Sequence, residues 1–312
     1  MRVLDAAATA AALPFAQLIP ALRSAFEAGA EVPLRHHHRL PDGAMLLLMP
    51  AWQQDFLGVK IVTVHPGNAV RGLQAVNATY LLSDVATGAP LLLLDGDVLT
   101  ARRTAAASAL AASFLAREDA SRLLVVGAGR VASLMAAAHA SVRGIRHVEV
   151  WNPTAARRDR LVATLRAQGF EVAGTTDLAG AVARADIVSC ATLSATPLIE
   201  GRWLPAGVHL DLVGAYTPAM READTAALAR AAVYVDTPAA LAEAGELAGL
   251  REVRGTLAQL CRGEAPGRLG VGAITLFKSV GTALEDLAAA MLVYTSDRKV
   301  HAGAEAAEGA IL

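Results

Sequence analysis

The 312-residue sequence has few cysteines and few aromatic residues, and its charges nearly cancel. Two cysteines, Cys190 and Cys261, cannot build a disulfide framework, so both are predicted to be small apolar side chains in a cytoplasmic protein. Lys and Arg (28) balance Asp and Glu (29) to a net charge of −1, so no overall field attracts nucleic acid or an anionic membrane. The expected partners are small molecules and further copies of the chain.

A long uninterrupted apolar run is also missing, although hydrophobic residues make up 54% of the chain. The longest stretch without a charge, residues 6–22, is broken by Pro14 and Pro20 and is shorter than the ~20 apolar residues of a spanning helix. Asp5 stands where a secretory signal has basic residues. We therefore expect a chain that neither crosses a membrane nor is exported.

The second part of the sequence has the pattern of a parallel sheet with crossover helices. From residue 123 onward, short aliphatic runs alternate with alanine-rich helical stretches. The predicted strands are 123–126, 147–151, 187–191, 209–213 and 233–236, and the predicted helices include 131–142, 154–168 and 221–231. This predicts a Rossmann-type, doubly wound α/β domain over residues 116–282.

The first 115 residues have an α+β character instead. Phe15, Leu18, Leu22 and Phe26 recur at helical spacing, and Pro20 is expected to open a second helical piece. Extended runs at 45–49, 59–64, 78–82 and 91–94 are separated by turn signals, and a helix is predicted at 101–117. Apolar spacing also predicts a helix over 274–294 that returns to this part. Residues 1–115 and 283–312 are thus expected to form a substrate-binding and dimerisation domain.

A candidate dinucleotide fingerprint lies between the predicted strand 123–126 and the helix 131–142. Gly127 would permit a tight turn, Gly129 would let the backbone approach a pyrophosphate, and Ala132 takes the third small position. Free N–H groups at the helix start would hold the anion. The alternative is a plain strand-to-helix turn.

The end of the next predicted strand should contact the adenosine ribose. It carries Asn152 and Thr154, with Arg157 one turn on, and no acidic residue that would bind a 2′-hydroxyl. These side chains can accept a 2′-phosphate, which favours NADP(H) over NAD(H); alternatively, Asn152 or Thr154 caps a helix. Thr192 follows strand 187–191 at its carboxyl end, where open sheets bind ligands.

Three cations in the first part stand in apolar or turn-rich surroundings: Arg35, Lys60 and Arg103. A lysine within an apolar strand is costly to bury unless it is paired, so Lys60 either faces solvent or meets an anion. Guanidinium groups match a carboxylate bidentately. The run 36–38 of three histidines is predicted to be an exposed polar strand without a metal, because alternate strand residues point to opposite faces.

Together these motifs resemble those of the ornithine cyclodeaminase/mu-crystallin family, over nearly the whole length. The resemblance rests on Val59-Lys60, His65-Pro66-Gly67-Asn68, Asp84 with Thr87-Gly88, residues 99–106, 127–132 and 214–222, and Phe277-Lys278-Ser279-Val280-Gly281. It implies a homodimer in which Arg35, Lys60 and Arg103 bind the substrate carboxylate. The cofactor positions carried over with it are Thr104, Gly127, Ala128, Gly129, Arg130, Val131, Asn152, Thr154, Arg157, Thr192, Val213, Gly214 and Lys278.

One position departs from part of that family. Ornithine cyclodeaminases carry an aspartate two residues before Pro218, where this chain has Tyr216. Oxidising an amino acid needs a base that deprotonates the ammonium group, and a phenol with a pKa of ~10 is a poor base. A preformed cyclic imine needs no such base, and mu-crystallin and the ketimine reductases also lack the aspartate. The predicted site therefore holds cations and no carboxylate that could take a proton from nitrogen.

These observations predict an NAD(P)H-dependent reductase of a cyclic ketimine carboxylate, either Δ1-pyrroline-2-carboxylate or Δ1-piperideine-2-carboxylate. Two alternatives stay open. One is an ornithine cyclodeaminase in which a carboxylate from elsewhere replaces the missing aspartate. The other is a mu-crystallin-like protein that binds NADPH without turnover.

Overall fold

The computed structural model describes the backbone of residues 1–309 and the side chains of 1–68 and 70–296. It forms two compact units, Met1–Arg103 with Thr282–Leu312, and Thr104–Gly281. The predicted boundary at residue 115 is the end of the helix Gly96–Leu115, whereas the units divide inside that helix. Residues 310–312, at the end of the predicted segment 283–312, lie outside the described part.

The first unit is built on a six-stranded sheet. Its strands are β1 (Arg2–Leu4), β2 (His36–Arg39), β3 (Met45–Gln53), β4 (Phe56–Val64), β5 (Val76–Asp84) and β6 (Pro90–Asp95), in the spatial order β1-β6-β5-β4-β3-β2. β1 runs parallel to β6 and the other neighbours are antiparallel. Its helices are α1 (Ala6–Ala11), α2 (Phe15–Ala28), the start of α3 (Gly96–Leu115) and the last helix, α10 (Ala283–Gly309).

Side chains on this sheet alternate between a buried face and a more open one. Met49, Lys60, Tyr80 and Leu94 are paired across four neighbouring strands, so they share one face, and all four are buried. Helix α10 packs on β3, β4, β5 and β6 and also on α2. Two polar side chains, Lys60 and Tyr80, therefore lie in the core beneath a helix that begins nearly 190 residues after β6.

The expected restart of a helix at Pro20 is wrong, because α2 is continuous through Pro20. Proline cannot donate the usual backbone hydrogen bond to Ala16, but both residues are exposed, so water can satisfy that carbonyl group. The predicted apolar face is confirmed, since Leu18 and Leu22 are fully buried. The burial of this face holds the helix together across the proline.

The second unit is an eight-stranded parallel sheet with helices. Its strands are β7 (Arg122–Val126), β8 (His147–Trp151), β9 (Glu171–Thr175), β10 (Ile187–Cys190), β11 (His209–Leu212), β12 (Ala232–Val235), β13 (Gly255–Thr256) and β14 (Thr275–Lys278), in the order β13-β12-β14-β11-β10-β7-β8-β9. The helices are α4 (Ala132–Ala140), α5 (Ala155–Ala167), α6 (Leu178–Arg184), α7 (Thr225–Arg230), α8 (Ala240–Glu243) and α9 (Leu257–Cys261). The predicted Rossmann-type, doubly wound fold is confirmed.

The predicted helix over 274–294 is partly wrong, because its first residues form strand β14. All four residues of β14 are buried, and a fully buried strand gives a continuous apolar run that periodicity cannot distinguish from a helix. Gly281, with φ +80°, lies between this strand and α10. Helix α7 is also shorter than the predicted 221–231, because Asp224 caps it by accepting the N–H of Ala227.

The strand order reverses direction next to β7. From β7 the chain goes to β8 and β9 on one side and to β10 and β11 on the other, so β7 and β10 are neighbours at the reversal. Ligands of such sheets bind beyond the carboxyl ends of the strands at this point. Within the described residues, no helix is long and apolar enough to cross a membrane.

Candidate active site

The glycine-rich segment after β7 has the geometry of a phosphate-binding turn. Gly127 has φ +115°, and a Cβ there would lie 2.7 Å from the carbonyl oxygen of Ala191, which follows β10. A Cβ on Gly129 would meet nothing within 4 Å, so open space lies in front of this backbone. Ala132 begins α4 and is fully buried. The turn, the open approach and the helix start therefore fit a dinucleotide pyrophosphate.

The neighbouring cofactor candidates differ in burial. Ala128 and Val131 are half-buried, Arg130 is exposed, and Thr104 is buried in α3. These positions are compatible with the predicted contacts, which stay predictions.

The loop after β8 carries the candidate ribose-binding groups. Asn152 Nδ2 donates to the carbonyl oxygen of Thr154 at 3.1 Å. Thr154 precedes α5, but its side chain makes no capping hydrogen bond there, and Arg157 in the first turn is exposed. Neither Asn152 nor Thr154 thus acts as a side-chain cap of α5, and hydroxyl and guanidinium groups remain at the end of β8.

A buried cluster of charges lies at the carboxyl ends of β10, β11 and β14. We call Glu222, Glu246 and Lys278 the second-unit cluster. The Nζ atom of Lys278 is 3.4 Å from Glu246 Oε1 and 3.8 Å from Glu222 Oε2. Glu222 and Lys278 are fully buried, and Glu246 is 4% exposed. Lys278 is the last residue of β14, and its assignment as a cofactor residue stays a prediction.

Glu222 accepts hydrogen bonds from two loops of the candidate cofactor site. Its Oε1 accepts the N–H of Thr192 at 2.7 Å and the Thr192 hydroxyl at 2.9 Å, and its Oε2 accepts the N–H of Gly214 at 2.8 Å. Thr192 follows β10, whereas Val213 and Gly214 follow β11. Burial raises the pKa of the Glu222 carboxyl to about 7, although Lys278 and these donors oppose the rise.

Tyr216 lies in the same loop after β11. Its side chain is 43% exposed, so it is not packed into a closed space left by a missing aspartate. The N–H of the preceding Ala215 donates to Glu222 at 3.3 Å. Glu222 thus fixes the loop backbone by a hydrogen bond, while the Tyr216 side chain remains in contact with solvent.

The first unit contains a second buried set of charges, which we call the first-unit cluster: Lys60, Arg103, Glu285 and Asp286. Lys60 Nζ lies 2.7 Å from Asp286 Oδ2, and Arg103 Nε lies 2.9 Å from Asp286 Oδ1. A terminal nitrogen of Arg103 lies 2.5 Å from Glu285 Oε2. The side chains of both acids are fully buried, and those of Lys60 and Arg103 are 4% and 5% exposed.

Burial and the nearby carboxylates have opposite effects on the two cations. Burial lowers the pKa of the Lys60 ammonium to about 8, against the opposing effect of Asp286, so Lys60 is largely protonated at neutral pH. Burial also acts on Arg103, but the two carboxylates hold its pKa above the usual value. The ion pairs leave N–H donors on both cations, because an ammonium and a guanidinium each carry more donors than these contacts use. Both cations can therefore donate to a further carboxylate.

Arg35 directly precedes β2, whose first residue, His36, pairs with Leu48 of β3. The contact of Arg35 with the substrate carboxylate stays a prediction. The histidines of β2 are exposed as predicted, and no metal-binding group was found among the described residues.

Two carboxylates that were not predicted from the sequence lie next to these cations. Helix α10 brings Glu285 and Asp286 against Lys60 and Arg103, across a sequence separation of more than 180 residues. The signal that could have identified them is a pair of acids within the otherwise apolar stretch 283–293. Buried acids in such a helix need cationic partners.

Comparison with known proteins agrees with this architecture. A profile of the ornithine cyclodeaminase/mu-crystallin family matches residues 3–300. The Δ1-pyrroline-2-carboxylate reductase of Colwellia psychrerythraea is 36% identical over 307 residues, which cover 93% of this chain and 97% of that protein.

Two solved structures have similar folds over nearly the full length. Thermococcus litoralis Δ1-pyrroline-2-carboxylate reductase, in complex with NADH and L-proline, has a TM-score of 0.90 and 30% identity, and the match covers 96% of this chain and 98% of that one. An archaeal alanine dehydrogenase dimer with bound NAD has a TM-score of 0.89 and 27% identity, with 96% of each chain covered.

Proposed function

Since the chain belongs to the ornithine cyclodeaminase/mu-crystallin family, we propose that it is an NAD(P)H-dependent reductase of a cyclic ketimine carboxylate. The substrates we propose are Δ1-pyrroline-2-carboxylate and Δ1-piperideine-2-carboxylate. The observation that carries this proposal is the buried pair Lys60 and Arg103, held side by side with N–H donors left for a carboxylate. The reductases among the similar proteins support the reaction type.

Each unit has its own part in this proposal. Lys60 and Arg103, with Arg35, bind and orient the substrate carboxylate. The dinucleotide is held by the turn Gly127–Ala132. The other residues proposed to contact it or to support those contacts are Thr104, Thr192, Val213, Gly214 and Lys278. When bound, the reduced nicotinamide supplies the hydride that saturates the C=N bond. The fixed cations contribute by orientation, because a substrate held in one pose loses less entropy on the way to the transition state.

We favour NADP(H) over NAD(H). The end of β8 offers Asn152, Thr154 and the exposed Arg157, and it offers no acid to a ribose 2′-hydroxyl. A guanidinium group there suits a 2′-phosphate.

An ornithine cyclodeaminase is the second candidate, and one observation favours it. Asp286 and Glu285 are carboxylates next to the proposed substrate cations, so the site has acids although Tyr216 replaces the family aspartate. Both carboxylate oxygens of Asp286 are however already in contact with Lys60 and Arg103. A mu-crystallin-like protein that binds NADPH without turnover is the third outcome.

We also propose a homodimer formed through the open face of the first-unit sheet. This face carries an apolar row across five strands: Val3, Leu93, Leu81, Val59 and Pro50. Val3 is 64% exposed, and Trp52 and Ile61 on the same face are 40% and 39% exposed. A patch of this kind is typical of a protein interface. Cys190 and Cys261 are not joined in a disulfide, as expected in the cytoplasm, where we place the protein.

One assay separates the three activities. The protein is mixed with NADPH, or NADH, and Δ1-pyrroline-2-carboxylate, and separately with L-ornithine and NAD⁺, while absorbance and ammonia are followed. We expect stoichiometric loss of NADPH with proline formed, faster than with NADH, and a sedimenting mass of two chains. Ammonia release without net change in the cofactor would support the cyclodeaminase instead. Tight NADPH binding with neither product would leave only the binding protein.

A further inference from the structure

One carboxylate in the first-unit cluster contacts both proposed substrate cations. Oδ2 of Asp286 is 2.7 Å from Lys60 Nζ, and Oδ1 of the same group is 2.9 Å from Arg103 Nε. Glu285, the preceding residue, contacts Arg103 at 2.5 Å. Asp286 therefore bridges the cations through separate oxygens, and it is fully buried in the first turns of α10.

We propose that Asp286 is a positioning residue, which holds Lys60 and Arg103 side by side to receive the substrate carboxylate and whose negative charge keeps Lys60 protonated. This inference rests on the function proposed above. Asp286 needs no contact with substrate in this role, because it acts through the two cations.

The groups around Lys60 define what its ammonium experiences. Asp286 and Glu285 face it from α10 and favour the charged form, Arg103 faces it from α3 and disfavours that form, and burial disfavours it further. Tyr80, its cross-strand neighbour on β5, is buried and its pKa is raised well above the usual value, so it stays neutral. Asp286 is the largest favourable influence, and an opposite charge at this distance typically shifts a titration by 1–3 pH units.

The lysine content of the chain allows a direct test. The sequence has three lysines, at positions 60, 278 and 299, so their Cε signals can be assigned in protein grown with 13C-lysine. Lys278 is an internal control, because its ion pairs are with Glu222 and Glu246 in the other unit. The pH titration of each lysine is compared in wild type, Asp286→Asn, Asp286→Glu and Glu285→Gln, with steady-state kinetics of imine reduction on the same preparations.

In Asp286→Asn, we expect the Lys60 titration midpoint to fall by at least about one pH unit while that of Lys278 is unchanged. The alkaline limb of kcat/KM should move to lower pH with it, and KM should rise about tenfold or more with a smaller change in kcat. Asp286→Glu should keep the Lys60 midpoint near that of wild type while raising KM, because the added methylene displaces the bridge. Glu285→Gln should shift the Lys60 midpoint less than Asp286→Asn does.

An unchanged Lys60 midpoint in Asp286→Asn would overturn the inference, and so would equal shifts in Asp286→Asn and Glu285→Gln. If Asp286→Asn does not fold, an Asp286→Glu variant with wild-type KM would overturn it. A chain without imine reduction but with the expected Lys60 titrations would instead contradict the proposed function.

Discussion

The two buried charge clusters differ in composition and in what their hydrogen bonds hold. The first-unit cluster has as many cations as carboxylates, and its short contacts join side chains to one another. The second-unit cluster has one cation, Lys278, for the two acids Glu222 and Glu246, and its lysine contacts are longer. Glu222 instead accepts backbone N–H groups of the loops after β10 and β11.

This difference indicates two uses of buried charge. Side-chain ion pairs leave donors of Lys60 and Arg103 free for a ligand, so the first-unit cluster is suited to binding an anion. A carboxylate that collects backbone N–H groups fixes the shape of loops, so the second-unit cluster is suited to shaping the proposed cofactor site. Substitutions in the first cluster should therefore act mainly on substrate kinetics, and those in the second on folding and its pH dependence.

The largest expected effect is the difference in kcat/KM between a substitution of Arg103 and one of its neighbour Arg102. Arg103→Lys keeps the charge but loses the planar fork that reaches both Glu285 and Asp286, so kcat/KM for imine reduction should fall about 100- to 1,000-fold. Arg102 donates to the carbonyl oxygen of Leu13 at 2.7 Å and covers the ring of Phe15, away from this cluster. Arg102→Lys is the matched control and should change kcat/KM less than about threefold.

Equal losses in the two variants would contradict the assignment of the first-unit cluster to substrate binding. Thermal unfolding of both variants shows whether a loss of activity reflects loss of the fold. Normal kinetics in Arg103→Lys would move the substrate carboxylate to other groups.

The fold was predictable where a pattern is local. The alternation of buried strands and alanine-rich helices identified the doubly wound sheet, and Gly127 and Gly129 marked the turn after β7. The prediction was wrong where two structures give the same pattern, as in β14, whose fully buried residues resemble a helical face. Pro20 was misread because its effect depends on whether Ala16 faces water.

The site was predictable only in part, because both clusters depend on pairing between residues that are distant in the sequence. Lys60 and Arg103 were identified from their unusual contexts and from the family resemblance. Asp286 and Glu246 are far from their lysines in the sequence, and only the folded chain brings them together. Composition did require such partners, because a buried lysine without a carboxylate is too costly.

The second-largest effect concerns Glu222 and pH. Its pKa is raised from 4.5 to about 7, so the folded state binds this proton more tightly than the unfolded state does. The resulting stability is fully present below pH 4.5 and is lost as the pH rises through 7, by about 3 kcal/mol. Glu222→Gln cannot titrate, so its unfolding free energy relative to wild type should rise between pH 5 and pH 8, as measured by urea denaturation.

The control for this prediction is Glu252→Gln, which removes an exposed carboxylate of the same unit. It should keep a constant difference from wild type across the range. A constant difference for Glu222→Gln as well would mean that Glu222 is ionised throughout, and that its backbone donors and Lys278 outweigh its burial.

The smallest expected effect is a change in unfolding free energy, compared between one tyrosine from each unit. Tyr80 is fully buried beneath the first-unit cluster, and its hydroxyl has no hydrogen-bond partner among the described residues, whereas the Tyr234 hydroxyl contacts the carbonyl oxygens of Pro266 and Gly267 at 2.8 and 3.1 Å. Tyr80→Phe removes an unsatisfied polar group and should raise the unfolding free energy by about 1 kcal/mol, while Tyr234→Phe should lower it by about the same amount. Urea denaturation of both variants measures these changes in unfolding free energy, which should have opposite signs. A loss of stability in Tyr80→Phe would show that its hydroxyl is hydrogen-bonded in solution, and the first-unit cluster would then include a fifth polar group.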